Sequence, residues 1–234
     1  TAQPGPPIFD NGPFVTAPGA GFGGADASVT ETGTVISLGF NANASSPLRV
    51  ADDFLLLGGP AAGTRLSTLD FYGVQSQSSN FTTSVVFGAL YVAIYDGPPN
   101  AGGNIIAGDF TTNRLRSSAW TGAYRVTSTT LTSQARPIIR LRADMSWAPA
   151  LNDGVYWLVT SAVGDAALSA SPNPQTILVT PRPATANGIQ LFNGSWVSTT
   201  DYPFRLYGFC PGDFNFSGTV TVQDIFDFLS AYFS

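Results

Sequence analysis

Short apolar runs separated by turn residues recur along most of the chain, and this pattern constrains the fold more than any other feature. No long stretch of helical periodicity precedes Val222. About ten strands at this spacing predict an all-β fold, a two-sheet β-sandwich of jelly-roll type. The strands are expected near residues 33–40, 48–57, 67–75, 84–95, 104–109, 123–127, 137–144, 154–163, 175–180, 188–192 and 202–209.

Two of these runs indicate how the strands are buried. Residues 84–95 have few charges over their whole length, which predicts a central strand packed on both faces. In residues 138–142, Ile139 and Leu141 alternate with Arg140 and Arg142, the pattern of a strand with one buried and one solvated face. The sequence therefore predicts both core strands and half-buried strands.

The first thirty residues are rich in Gly, Pro and Ala, and we expect little regular structure there beyond a short extended piece at Ile8 and Phe9. Two interpretations of this segment stay open: a long surface loop, or an extended arm that reaches a neighbouring molecule. A chain that begins at Thr1 is also what removal of a signal peptide would leave.

The C-terminal segment carries a loop with the residue spacing of an EF-hand calcium loop. Counted from Asp213, oxygen-bearing side chains occupy positions 1, 3, 5, 9 and 12, and Gly218 occupies position 6. Calcium takes six or more oxygen ligands, which such a loop supplies from alternate side chains and from the carbonyl at position 7. The predicted calcium ligands are Asp213, Asn215, Ser217, the carbonyl of Thr219, Thr221 through a water, and Asp224.

The loop departs from an EF-hand because position 12 is Asp224 rather than Glu and no obvious helix precedes it. In both respects it resembles the dockerin type I repeat of secreted bacterial proteins, a calcium loop followed by one helix. Dockerins carry two such repeats, and this chain has one. Ser217 at position 5 leaves two carboxylates, which weakens calcium binding. The alternative interpretation is an Asx-rich turn that caps the helix, with Asp224 near the helix N-terminus acting through the helix dipole.

The segment after the loop is predicted to be a short amphipathic helix. Val222, Ile225, Phe226, Leu229 and Phe233 form one apolar stripe, and an aromatic pair, Phe228 and Tyr232, lies off it. A helix this short needs a surface to pack on. Two arrangements remain open: contact with both its own sandwich and another surface, or complete burial against its own sandwich.

The amino-acid composition argues against several classes of partner and of active site. The formal net charge is −5, which disfavours nucleic acid, and no apolar run is long enough to span a membrane. The chain has no His, no Lys, one Glu and one Cys, so serine triads and zinc sites lack their side chains. Cys210 is either a buried hydrophobe or a free or intermolecularly bridged thiol.

Several phrases together resemble a group of secreted bacterial proteins of undefined activity. The resemblance covers roughly residues 8–209 and implies an extracellular β-sandwich. The phrases are Asp10-Asn11-Gly12-Pro13, Gly23-Gly24-Ala25-Asp26-Ala27-Ser28, Val50-Ala51-Asp52-Asp53-Phe54, Ile94-Tyr95-Asp96-Gly97-Pro98-Pro99, Thr112-Asn113-Arg114-Leu115 and Gly154-Val155-Tyr156-Trp157-Leu158.

Catalysis would have to come from Asp side chains, and the sequence disfavours it. Asp52 and Asp53 are adjacent, so on a strand they point to opposite faces and cannot act as a glycosidase pair. The other candidates, Asp70, Asp96, Asp109 and Asp144, are interpreted as turn and strand-end residues or as occasional calcium ligands. Exposed aromatic rings could instead bind sugars, and the candidates are Trp120, Tyr124, Trp147 and Trp196.

The sequence thus predicts three parts: an extended N-terminal arm over 1–30, a β-sandwich over 31–209, and a dockerin-like calcium loop and helix over 210–234. The expected function is that of a secreted structural protein without enzymatic activity. It would form an extracellular filament, sheath or matrix through the arm and the helix. The alternative is a carbohydrate-binding or adhesive module with a dockerin-like tail, and polysaccharide is then the partner.

Overall fold

The fold was obtained as a computed structural model that describes residues 6–31, 38–59, 63–76, 82–167, 172–209 and 221–233. These residues form two β-sheets, one α-helix and two short 3-10 helices. The elements are β1 Phe9–Asp10, β2 Asp26–Val29, β3 Phe40–Asn41, β4 Arg49–Leu56, β5 Leu66–Val74, β6 Ala89–Tyr95, β7 Ile105–Asp109, β8 Leu115–Val126, β9 Pro137–Asp144, β10 Gly154–Val163, β11 Gln175–Thr176, β12 Ile189–Phe192, β13 Ser195–Ser198, β14 Phe204–Gly208, α1 Val222–Tyr232, and 3-10 turns at Phe22–Gly24 and Pro99–Ala101.

The two sheets pack face to face, which confirms the predicted all-β sandwich. Sheet 1 has the order β1-β14-β5-β9-β8-β2, and β11 joins it by pairing with both β5 and β3. Sheet 2 has the order β13-β12-β4-β10-β6-β7. The strand pairs are antiparallel except for β2, which runs parallel to β8. None of the helical segments in the described part of the chain has the length and apolar character to cross a lipid bilayer.

The core lies between the sheets and takes every second residue of each long strand. Phe54, Leu69, Leu90, Leu141 and Leu158 come from five different strands, are at most 3 % exposed, and belong to one apolar cluster. Alternate residues point to opposite faces of a strand, so this burial fixes which side chains reach the outer faces.

The N-terminal segment adds two strands to the sandwich of its own chain. β1 pairs with β14, with Phe9 opposite Leu206, and β2 pairs with β8, with Asp26 opposite Ala123. Between them, Phe14 covers the outer face of sheet 1, its ring centroid 4.7 Å from that of Tyr72. The sandwich therefore includes residues before the expected boundary at 31. The segment does this by satisfying the N–H and C=O groups of two sheet edges.

Several strand bounds differ from the expectation. β6 begins at Ala89 rather than at residue 84 and lies between β10 and the edge strand β7. β8 begins at Leu115, because its polar first half pairs with β9 even though it has no apolar pattern. β13 was not predicted at all. It follows a tight turn in which Asn193 and Gly194 have φ of 50° and 79°. Most of the strand expected at 33–40 lies outside the described residues.

Candidate functional site

The structure describes part of the predicted calcium loop. Asp213, Asn215, Ser217 and Thr219 lie outside the described residues, so the metal role of all six ligands stays a prediction. Thr221 and Asp224 are described, and they bind each other at the start of α1. Asp224 Oδ2 accepts hydrogen bonds from the Thr221 backbone N–H at 2.6 Å and from the Thr221 hydroxyl at 3.0 Å.

This pair is a capping box at the N-terminus of α1, where the alternative interpretation of the loop places Asp224 without predicting its contact with Thr221. Thr221 is the N-cap residue, and Asp224 occupies the third position of the helix and is 2 % exposed. A carboxylate there satisfies an otherwise unpaired backbone N–H and opposes the positive end of the helix dipole. The capping box fixes the direction in which α1 leaves the loop.

The apolar residues of α1 lie on one face and are exposed. At about 100° per residue, the seven large apolar side chains fall within an arc of roughly 160°. Sequence analysis placed two of them, Phe228 and Tyr232, off the stripe, but they extend it, and their rings stack with centroids 6.0 Å apart. Exposure along the face is 39–78 %, for Val222, Ile225, Phe226, Phe228, Leu229, Tyr232 and Phe233.

This exposure excludes complete burial of α1 against its own sandwich, one of the two expected arrangements. The distribution is the reverse of an ordinary surface helix, because Asp224 is buried while the apolar face meets solvent. The hydrogen bond from the Gln223 side chain to Asp227, at 2.9 Å, lies on the polar face. We name the seven exposed side chains the α1 face.

A second exposed apolar surface lies on the outer face of sheet 2. Leu55 and Val155 are direct cross-strand partners on β4 and β10, 44 % and 51 % exposed. Ile105 on β7 lies opposite Tyr95 on β6, and Leu57 follows the end of β4. We name this surface the sheet 2 patch, and its residues are Leu55, Leu57, Tyr95, Ile105 and Val155.

Next to the patch, the outer face of sheet 2 carries a small aromatic cluster. Trp157 and Ile189 are buried within it, and Phe110 and Trp196 pack against its side. The Arg49 guanidinium lies 3.6 Å from the centre of the Phe110 ring, a cation–π contact. The cluster covers the part of the outer face of sheet 2 that adjoins the patch.

The candidate sugar-binding aromatics do not form one platform. Trp120 and Tyr124 are on β8 in sheet 1, with ring centroids 5.4 Å apart, whereas Trp196 is on β13 in sheet 2. The Trp147 indole N–H donates to the Asp144 carbonyl at 2.7 Å, and its ring packs on the core. Of the four, Trp120 is the one with a substantially exposed ring, at 37 %.

Asp52 and Asp53 point to opposite faces of β4. Asp52 is 2 % exposed and accepts hydrogen bonds from the Asn11 amide at 2.7 Å, the Tyr202 backbone N–H at 2.7 Å and the Asp53 N–H at 3.0 Å. Burial raises the pKa of Asp52 to about 8, the charge of Asp201 adds to this, and the two backbone N–H donors oppose it. Asp52 therefore joins three segments of the chain rather than forming half of a carboxylate pair.

The remaining Asp candidates hold turns or strands. Asp70, 1 % exposed, forms a bidentate ion pair with Arg142 in which both distances are 2.7 Å. Asp96 accepts from the Asn104 N–H, and Asp144 forms an ion pair with Arg116. Hydrogen bonds from Thr111 and Thr112 lower the pKa of Asp109. Each carboxylate is thus engaged by local backbone or by an arginine. Asp96, Asp109 and Asp144 lie at strand ends or in turns, as expected, whereas Asp70 lies within β5.

One buried cation was not anticipated by the sequence. Arg125 on β8 is 2 % exposed and donates to the Leu38 carbonyl and to the hydroxyls of Ser28 and Thr180. Burial lowers its pKa to about 10, and the Glu31 carboxylate acts in the opposite direction. A strand arginine gives no local sign of burial, because the parallel pairing of β2 that covers it is a tertiary feature.

No protein family, curated protein or solved structure matches this chain. The resemblance to dockerin repeats and to secreted bacterial proteins therefore stays a prediction from the sequence phrases. The α1 face, the sheet 2 patch and the buried Asp52 rest on the chain's own geometry. Among the described residues, no group of three or more acidic, His or Cys side chains is arranged to hold a metal ion.

Proposed function

We propose that this chain is a secreted structural protein, a subunit of an extracellular filament, sheath or matrix that calcium stabilises. The observation that carries the proposal is the α1 face, seven large apolar side chains that are 39–78 % exposed. Isolated helices of this length are marginal in water and gain stability by packing an apolar face. A contiguous apolar patch on a soluble protein marks an interaction site. We assign its partner as a second copy of the chain.

The polymer is proposed to form through α1 rather than through the N-terminal segment. The expected arm pairs β1 and β2 with strands of its own chain, so those strands are engaged within the subunit. The acidic residues of α1, in contrast, lie outside the α1 face. Burial of this face therefore costs no charge desolvation. The tail is therefore the element that best suits contact with a neighbour.

Calcium is proposed to bind among Asp213, Asn215, Ser217, Thr219, Thr221 and Asp224. When bound, a hard cation would supply charge neutralisation for the carboxylates of the loop. The buried position of Asp224 at the junction of loop and helix supports this role, because ordering the loop also orders the start of α1. The extracellular location follows from the same proposal, since calcium concentrations there are high enough for a weak site.

The decisive experiment measures the mass of the native chain by sedimentation over a concentration series, with calcium and with chelator. We expect concentration-dependent assembly in calcium and filaments or sheets by negative-stain microscopy. The substitutions F226D and L229D together should keep the chain monomeric, because each places a charge in an apolar contact. The control S230D lies on the polar face of α1 and should assemble like the native chain. A native chain that stays monomeric throughout would refute the proposal.

The second candidate function is carbohydrate binding or adhesion with a dockerin-like tail. The exposed indole of Trp120, backed by the Tyr124 ring, supports it, because an aromatic face packs well on a sugar ring. Co-sedimentation with insoluble polysaccharides tests this candidate. Retention of the native chain and its loss in W120A would favour it over self-assembly, provided that the native chain is monomeric.

A further inference from the structure

We infer that a small pocket beside Arg125 binds a monovalent inorganic anion of about the size of chloride. The pocket lies where the segment after β2 meets β8 and the connections from β11 to β12 and from β13 to β14. Its polar lining consists of Glu31, Arg125, Thr180, Arg182 and Thr200. We name it the Arg125 pocket. The inference does not depend on the proposed function.

The size of the Arg125 pocket restricts the ligand to a small one. The volume is about 20 Å³, and one water-sized particle needs roughly 10–15 Å³. A chloride ion is only slightly larger than a water molecule and fits this space, whereas a sugar ring, a nucleotide or a peptide does not. Leu178 and Val179 contribute apolar walls, so a bound ligand is held by few polar groups.

The pocket opens to solvent on one side. Glu31 and Arg182 are exposed, whereas Arg125, Thr180 and Thr200 are at most 3 % exposed. An ion that enters between Glu31 and Arg182 therefore reaches a buried end formed by one guanidinium group and two hydroxyl groups. This arrangement gives a small ligand both an entry path and a site shielded from water.

The charge at the buried end favours an anion. The described acceptors of the Arg125 guanidinium are neutral oxygen atoms, those of the Leu38 carbonyl and of the Ser28 and Thr180 hydroxyls. Removing a guanidinium from water is costly, and burial accordingly lowers the pKa of Arg125 to about 10. An anion in the pocket would stabilise the charged form by direct electrostatic attraction.

A buried hydroxyl supplies the hydrogen-bond donor for the ligand. The Thr180 hydroxyl donates to the Leu178 carbonyl and accepts from Arg125, so it is engaged within the chain. The Thr200 Oγ1 atom, in contrast, is buried and finds no hydrogen-bond partner among the described residues. Buried polar atoms without a partner are rare because each one carries a desolvation penalty. The Thr200 hydroxyl therefore indicates a ligand that accepts its hydrogen bond.

Glu31 opposes the binding of an anion, and this gives the inference a prediction with a definite sign. The Glu31 carboxylate accepts a hydrogen bond from the Arg182 backbone N–H at 2.9 Å, which holds it at the opening of the pocket. A negative charge there repels an entering anion and attracts a cation. Removing that charge should therefore strengthen the binding of chloride.

The test measures the melting temperature of the full-length chain in sodium chloride and in sodium gluconate at equal ionic strength. Gluconate is too large for the pocket, so it controls for screening. We expect chloride to raise the melting temperature of the native chain, and its concentration dependence gives a dissociation constant. T200V should weaken chloride binding about tenfold or more, because it removes a hydrogen bond to a charged group.

Two variants serve as controls for T200V. T200S keeps the hydroxyl and should keep most of the response to chloride. E31Q should bind chloride up to about fivefold more tightly, the effect of one exposed charge. In gluconate, T200V should be at least as stable as the native chain, because the hydroxyl that it removes makes no hydrogen bond there. In crystals soaked in bromide, anomalous scattering should place an ion in the Arg125 pocket of the native chain and not of T200V.

Three results would overturn the inference. Equal chloride responses in the native chain and T200V would mean that the Thr200 hydroxyl binds no anion. Weaker chloride binding in E31Q would mean that the carboxylate is not a repelling charge. Bromide found only on the outer surface of the crystallised chain would leave the pocket to water. None of these results bears on self-assembly, which is tested separately by sedimentation.

Discussion

The stability of this protein should fall as the pH rises from about 4 to about 8, and Asp52 is the reason. Its pKa is raised to about 8 in the folded state, chiefly by burial, whereas an Asp in an unfolded chain titrates near 4. Between these values the folded state binds one proton more than the unfolded state. The free energy of unfolding therefore decreases with pH, by at most about 1.4 kcal/mol per pH unit.

The amino-acid composition leaves few other groups that could change the stability between pH 5 and 8. The chain has no His, so no side chain that ordinarily titrates between pH 5 and 8 is present. The lowered pKa of Asp109 has its effect below pH 4, where protonation removes stability. The raised pKa of Tyr72, about 12, and the lowered pKa of Arg125, about 10, act above the window. A slope between pH 5 and 7, below the range in which the α-amino group and the Cys210 thiol ordinarily titrate, is thus attributable to Asp52.

The perturbation is D52N, which keeps the shape of the side chain and cannot ionise. Three N–H groups donate hydrogen bonds to the Asp52 carboxylate. In D52N the amide oxygen of the substituted side chain can still accept the hydrogen bonds from Asn11 and Tyr202. The amide NH₂ then faces the Asp53 N–H, and this unmade hydrogen bond costs about 1–3 kcal/mol. We expect D52N to be less stable than the native chain at pH 5 and the difference to shrink or reverse by pH 8.5.

The assay is urea unfolding followed by tryptophan fluorescence at pH 5, 6, 7, 8 and 9. The control is D53N, which changes the adjacent carboxylate on the other face of β4. The charge of Asp53 is the smallest of the causes that raise the pKa of Asp52, so D53N should keep most of the native slope. A native chain whose free energy of unfolding is flat between pH 5 and 8 would refute the reasoning. So would a D52N variant that retains the full slope.

Three further predictions concern ion pairing, calcium and the cap. D70A should lower the free energy of unfolding in urea by about 1–3 kcal/mol, because Arg142, whose side chain is 22 % exposed, then loses its bidentate partner, and an unchanged free energy of unfolding would contradict a stabilising ion pair. Calcium should raise the melting temperature of the native chain and leave that of D213A unchanged, and equal shifts in both would place the metal elsewhere. T221A should cost the helix about 1 kcal/mol, seen as lost ellipticity at 222 nm with and without calcium.

The strand pattern predicted the fold class because buried and exposed side chains alternate along a half-buried strand. In β9, Ile139 and Leu141 enter the core and Arg140 and Arg142 face outward, as their alternation predicts. The opposite orientations of Asp52 and Asp53 follow from the same geometry. The helix after residue 221 was also predicted, because its apolar residues recur three or four positions apart, and the alternative interpretation placed Asp224 near its N-terminus. The capping box with Thr221 was not predicted.

Long-range pairing was decided only by the tertiary structure. The polar half of β8 and the Gly-rich segment that contains β2 have no strand pattern, and they become strands because sheet edges offer them partners. The burial of Arg125 and the raised pKa of Asp52 arise from segments that meet across the sandwich. The exposure of the α1 face likewise could not be predicted from the local sequence. An amphipathic pattern indicates which side of a helix is apolar, but it does not indicate what covers that side.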